Sequence, residues 1–142
     1  MKLPSADLQF HEDVRLLVWR PRGVLNEAAL NQIKTLIENL EAASAEPFNR
    51  FTDSQALEVI DLNFRYVFDF SLFRRLSYDR RPPVKSAILV TSLTFAHYSK
   101  LYELLTRHSS IKVRIFEERD AAAQWLGVPV ELLIFSPIGS ES

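Results

Sequence analysis

The sequence predicts a single α/β domain: a mostly parallel sheet of four to five strands with flanking helices. Three observations carry that prediction. Short apolar runs alternate along the chain with segments of helical periodicity, the pattern of repeated strand–helix units. Val14 to Arg20 is apolar on both faces, with Leu16 and Val18 on one and Leu17 and Trp19 on the other, as a strand covered on two sides requires. The unbroken run Ser86-Ala87-Ile88-Leu89-Val90 is of the same buried, parallel kind.

Taken in order, Leu8-Gln9-Phe10 alternates and Glu12-Asp13 offers a turn, so a short hairpin leads into the strand at Val14 to Arg20. Gly23-Val24-Leu25-Asn26 ends that strand and opens a helix. Asn26 is suited to cap it, because its side-chain oxygen accepts from free amides of the first turn. Leu25 and Leu30 have the spacing of a hydrophobic staple. Leu30, Ile33, Ile37 and Leu40 recur at helical period and carry the helix to about Ala43. Ser44 to Pro47 is its exit. Phe48 to Thr52 is a short strand running into Asp53-Ser54, and Leu57 to Leu62 reads as either strand or loop.

Asn63 caps a second helix, Phe64 to about Tyr78, where Asp61, Arg65 and Asp69 recur at i, i+4. Arg80-Arg81-Pro82-Pro83 stops it, since proline lacks a donor and disfavours helical geometry before it. After the strand at Ser86 to Val90, Thr91 to Thr94 is a hydroxyl-rich turn in which Thr94 is expected to cap the next helix. That helix, Phe95 to Arg107, repeats Phe95, Tyr98, Leu101, Tyr102 and Leu105 on one side. Ile111, Val113 and Ile115 alternate with Lys112 and Arg114, a half-exposed edge strand. Glu118 to Leu126 is a last helix closed by Gly127 and Pro129. Val130 to Phe135 is an apolar, strand-like stretch that opens the tail 130–142. Residues 1–142 thus form one domain with its core in 12–129.

Composition narrows the function. The 142 residues are 47% hydrophobic and 25% charged, as in an ordinary globular domain rather than a disordered or fibrous chain. Lysine and arginine number 17 against 18 acidic residues, a net charge of −1 that gives no electrostatic footprint for nucleic acid. With no cysteine, disulfide scaffolds, iron–sulfur sites and thiol catalysis are excluded. The 3 glycines, Gly23, Gly127 and Gly139, lie too far apart for a phosphate-cradling loop. His97 and His108 share a helix face but sit about 16 Å apart, too far to share a metal. No nucleophile–base pair, metal set or cofactor motif can be named, so a non-enzymatic protein with no cofactor is expected. The amino terminus has no apolar run of signal-peptide length, and purely apolar stretches such as Ala87 to Val90 are far short of the about twenty residues of a membrane span. A cytoplasmic address without integral membrane association is the expectation.

Two surfaces are candidates for binding. In open α/β sheets, sites gather outside the carboxyl ends of the strands. Those ends carry Asp53 and Ser54 after one strand and Thr91, Ser92 and Thr94 after another, a possible partner-docking edge unless they only cap the helices that follow. The second is aromatic. Between Phe48 and Tyr78 lie 6 phenylalanines and 2 tyrosines. Phe64, Val67, Phe68 and Leu72 make one helical stripe, and Tyr66, Phe70 and Phe73 make a second on nearly the opposite side. Either the carboxyl tail or a loop covers the second stripe, or Phe64, Tyr66, Phe70 and Phe73 form a homodimer interface or an apolar ligand pocket. The basic cluster Arg74, Arg75, Arg80, Arg81 and Lys85 reads as a solvated helix end rather than an anion site.

Several phrases of the chain resemble the STAS-like domains of the sporulation anti-sigma-factor antagonist type. They are Leu17-Val18-Trp19-Arg20-Pro21-Arg22-Gly23-Val24-Leu25, Phe48-Asn49-Arg50-Phe51-Thr52-Asp53 and Pro82-Pro83-Val84-Lys85-Ser86-Ala87. Val113-Arg114-Ile115-Phe116 and Ala121-Ala122-Ala123-Gln124-Trp125-Leu126-Gly127 complete the set. The resemblance spans most of residues 12 to 129. It implies a bacterial, non-enzymatic regulatory module that docks on a protein partner or on itself. Some such domains bind nucleotides or lipids, and the CRAL-TRIO type suggests by analogy a carrier or sensor of a small apolar ligand. Regulated members carry a phosphorylatable serine after the Asp-Ser pair, followed by glycine. Gln55 and Ala56 stand there in this chain, so the resemblance does not extend to the phospho-serine switch.

Overall fold

The computed structural model describes residues 6–135. Along the chain run β1 (Ala6–His11), β2 (Leu16–Pro21), β3 (Gly23–Asn26), α1 (Glu27–Ala43), β4 (Asn49–Asp53), β5 (Leu57–Asp61), α2 (Phe64–Ser77), β6 (Val84–Leu89), α3 (Leu93–Leu105), β7 (Ile111–Phe116) and α4 (Arg119–Leu126), then a 3₁₀ turn at Val130–Leu133.

The main sheet has the order β1-β2-β4-β6-β7. Strands β2, β4, β6 and β7 are parallel, since helical crossovers connect them, while β1 is antiparallel to β2 because a tight turn joins them. The sheet is therefore mixed, with β7 at one edge as its alternating pattern predicts. Register aligns Val18, Phe51 and Ala87 across three strands on one face. Trp19, Thr52, Ile88 and Ile115 line up on the other. Leu17, Arg50, Ser86 and Val113 form a second row on that same face.

The two faces carry separate cores. Leu16, Val18, Phe51, Ala87 and Leu89 pack against Ala122, Ala123 and Leu126 of α4 and against Leu133. Leu17, Trp19 and Ile88 pack against Ala29, Ile33 and Ile37 of α1 and Phe95 of α3. Helix α2 lies beside α3 on this second side, so three helices cover one face and α4 the other.

Four expectations are corrected or resolved. Leu57–Asp61 is a strand, paired in parallel with β3 in a separate two-stranded ribbon, so Gly23–Asn26 is itself extended before Asn26 caps α1. The cap of α3 is Ser92, whose hydroxyl accepts from the Phe95 amide at 3.2 Å, and Thr94 lies inside the helix. A capping side chain reaches the amide three residues on, which is Phe95 from Ser92 but not from Thr94. Val130–Leu133 is a 3₁₀ turn, with Leu133 buried against the α4 side. The turn therefore does not cover the aromatic face of α2, and residues 136–142 of the expected tail lie outside the described residues. Gly127 adopts φ 73°, the left-handed conformation that ends α4 and that a side chain would strain. Among the described residues no helix is long and apolar enough to cross a membrane.

Candidate functional site

Between the three helices and the sheet lies a cavity of about 110 Å³. Trp19, Thr52, Ser86 and Ile88 from the central strands form its floor. Ile33 and Ile37 of α1, Val67 and Phe70 of α2, and Phe95 and Tyr98 of α3 form its walls. The space exists because three inward positions carry short side chains, Thr52, Ser86 and Ser99, where larger residues would fill the gap between helices and sheet. Thr52 is oriented by Trp19, whose indole Nε1 donates to Oγ1 at 2.7 Å. None of the hydrogen bonds among the described residues uses the hydroxyls of Ser86 or Ser99, although both residues are buried.

At one side of this space two arginines are buried, Arg50 of β4 and Arg74 of α2, each 3% exposed. They meet at one phenol. Arg50 Nη1 donates to the Tyr78 oxygen at 2.6 Å and Arg74 Nη2 donates to it at 3.0 Å. The Tyr78 hydroxyl in turn donates to Glu41 Oε2, which also takes Arg50 Nη2 at 2.6 Å. Arg81 pairs with the other Glu41 oxygen at 3.3 Å from the surface. Arg74 Nε reaches the Tyr102 hydroxyl at 3.4 Å, and its Nη1 is buried with no partner. Arg50 Nε is likewise buried and unpaired.

The charges in this cluster follow from its contacts. Burial pushes the Glu41 carboxyl upward, but the Tyr78 hydroxyl and the Arg50 and Arg74 guanidinia outweigh it and hold the group below its ordinary range. Burial disfavours the Arg74 cation, and Tyr102, Tyr78 and Glu41 reverse that, so the net direction is upward and Arg74 stays charged. Tyr78 is pushed up by burial and by Glu41 against the opposing pull of the arginines, and stays a neutral phenol at ordinary pH.

The predicted docking edge divides. Asp53 and Ser54 are 1% and 2% exposed and are not at the surface. Asp53 holds an ion pair with Arg119 at 2.7 Å and accepts from the Gln55 amide at 2.9 Å. Ser54 Oγ donates to the Leu89 carbonyl at 2.6 Å, which ties β4 to β6. Arg119 also donates to Gln55 Oε1 at 2.7 Å, so the Gln55 side chain is held in place by a cation from α4. Thr91 and Ser92 are exposed on the turn after β6, and Thr94 is exposed in the first turn of α3.

The aromatic residues also divide. Phe70 lines the cavity and meets the Tyr102 ring with centroids 6.1 Å apart. Tyr66 packs toward α1, its hydroxyl 2.9 Å from Asn31 Oδ1. Phe73 lies under the Lys34 ammonium, 4.3 Å from its centroid. Phe64 is 63% exposed. Of the second stripe, Tyr66 thus meets α1 and Phe70 the cavity, while Phe73 is 46% exposed.

Sequence reasoning missed Arg50 and Arg74. The sign of Arg74 was present: Val67, Ser71, Arg74 and Tyr78 are spaced four, three and four, one buried helical face that includes a cation. Arg74 belonged to the cluster read as solvated, yet only its neighbours Arg75, Arg80 and Arg81 are exposed. Arg50 alternates with buried Phe51 on the two faces of an interior strand, where any charge must be buried. Among the described residues no group of three or more histidine, aspartate or glutamate side chains is placed to hold a metal.

No protein-family model matches the chain, and no curated protein matches it either. Among solved structures it is similar to an uncharacterised protein of the DUF3478 family with a SpoIIAA-like fold, from Shewanella loihica PV-4. The match has a TM-score of 0.55 and 17% identity, over 85% of this chain and 91% of that one. Identity this low establishes likeness of fold alone. The domain has a SpoIIAA-like, and hence STAS-like, fold, as its sequence phrases imply.

Proposed function

We propose that this chain is a non-catalytic binding domain that holds a small apolar ligand between its three-helix layer and the sheet. The observation that carries the reading is the cavity of about 110 Å³, walled by Ile33, Ile37, Val67, Phe70 and Phe95 and floored by Trp19 and Ile88. An apolar cavity somewhat larger, about 150 Å³, stays dry and takes up benzene, so this one suits a single ring or a short alkyl chain. The non-enzymatic part rests on the lack of a recognisable nucleophile–base pair in its lining.

Trp19 provides the test. In a Trp125→Phe variant it is the sole tryptophan, since the chain has 2. Titration with linear acids and alcohols of graded length should give a saturable change in its emission. Ser99→Leu, which places bulk in the cavity, should abolish that change. An emission that follows none of the probes at any chain length would overturn the reading.

A second reading, docking on a protein partner or on a second copy, is supported by exposed apolar side chains along α2, with Phe64 at 63% and Leu76 at 74%. Sedimentation of the wild type and of Phe64→Lys/Leu76→Lys tests it. Loss of self-association in the double variant would favour it, and a monomer at all concentrations would remove the second copy.

A further inference from the structure

Arg74 is a buried cation with no ion pair among the described residues, and one of its donors has no partner. Buried charge is ordinarily paired, because taking an ion out of water is compensated only by an opposite charge and full hydrogen bonding. Glu41 acts on Arg74 through space, but its direct contacts are to Arg50, Tyr78 and Arg81. The cavity lining repeats the imbalance: it contains Lys34, Arg50 and Arg74 and no aspartate or glutamate. Two further donors, the hydroxyls of Ser86 and Ser99, border the same space without a use in the hydrogen bonding among the described residues.

We propose that the cavity ligand is a compact apolar acid, its carboxylate set toward Arg74 and its hydrocarbon body among Trp19, Ile33, Phe70 and Phe95. This rests on the reading of the cavity as a ligand site and adds the sign of the ligand's charge. A carboxylate suits a guanidinium because its acceptor oxygens match the planar fork of N–H donors. It also adds a negative charge to a lining that holds Lys34, Arg50 and Arg74 and no carboxylate. A cationic ligand would meet the like charges of Lys34, Arg50 and Arg74, and a neutral one could accept from Arg74 Nη1 but would bring no opposite charge to it. The small volume sets the body at a short chain or one ring, with any longer tail passing out toward Lys34 at the surface.

The probes are hexanoate, hexan-1-ol and hexylammonium, which share a body and differ in head-group charge, titrated calorimetrically into the wild-type chain at neutral pH. Hexanoate should bind about tenfold or more tighter than hexan-1-ol, the usual difference when a buried charge-assisted hydrogen bond is gained, and hexylammonium should not bind measurably. In Arg74→Met the acid and the alcohol should become equal, whereas Arg74→Lys should keep part of the preference. The wild-type comparison stands even if Arg74→Met does not fold. Equal affinity for acid and alcohol, or a preference for the alcohol, would overturn the inference about charge and leave the cavity as an apolar site. Absence of binding by all three would overturn the inference together with the ligand-site reading.

Discussion

The Arg50 guanidinium donates to the Tyr78 phenol over 2.6 Å, and this bond ties a central strand of the sheet to the end of α2. Tyr78 follows the last turn of its helix, and Arg50 belongs to an interior strand of the sheet, so the pair sets how far α2 stands from the sheet. Arg50 also lines the cavity, together with Arg74 and Phe70.

Tyr78→Phe keeps the ring and removes only the oxygen. Arg50 Nη1 and Arg74 Nη2 then lose their acceptor and Glu41 loses a donor, all in a buried setting. The expected loss is about 2–3 kcal/mol, because buried groups left unsatisfied cost more than an exposed bond contributes. Urea unfolding should show the midpoint falling with an unchanged slope. A variant within about 0.5 kcal/mol of the wild type would show that the network contributes little to stability.

Acid should weaken the fold through Glu41. Its carboxyl is held below the ordinary 4.5 by Tyr78, Arg50 and Arg74 acting against burial. The unfolded chain therefore takes up this proton at a higher pH than the folded chain does. The stability Glu41 contributes is complete above 4.5 and is lost as the pH falls from there through the lower folded value. Glu41→Gln has no proton to take up at this position, so its stability should be lower near neutrality and should change less with pH across that window. Chemical unfolding at a series of pH values compares the two slopes, and parallel curves would remove Glu41 as the cause.

Modification at Ser54 is expected to fail in the folded chain. Its hydroxyl is 2% exposed and donates to the Leu89 carbonyl, so a phosphate there would set anionic acceptors against another acceptor inside the sheet. Intact-mass analysis of protein from its native host should show no phosphate on Ser54 under any growth condition. A phosphorylated Ser54 in natively folded protein would overturn this expectation.

Local signals were legible in the sequence wherever one short segment decides the outcome. Asn26 and Asn63 cap α1 and α2 as their positions imply, with side-chain oxygens 2.9 and 2.8 Å from the amides of Ala29 and Tyr66. The two-faced strand at Leu16 to Trp19 has a core on each side, because apolar residues at both phases of the period-two pattern need two partners. The STAS-like fold followed from phrases spread along the chain, which record the order of elements. The cap of α3 went the other way: Thr94 was expected there, and Ser92 takes the place because the helix begins earlier, at Leu93.

Only the tertiary structure decided which polar residues face inward together. Arg50 and Arg74 are 24 positions apart by their numbers, and nothing local shows that β4 and α2 bring both to the Tyr78 oxygen. Periodicity gives the face of an element on which a residue lies, but not what the facing element offers. For the same reason Asp53 and Ser54 looked like a docking edge and are buried beneath Arg119 and against Leu89. The cavity is the clearest case: it is the volume left where Thr52, Ser86 and Ser99, from three different elements, converge. A void belongs to the packing of several segments at once, so the sequence determines the walls one by one and the fold alone determines the space between them.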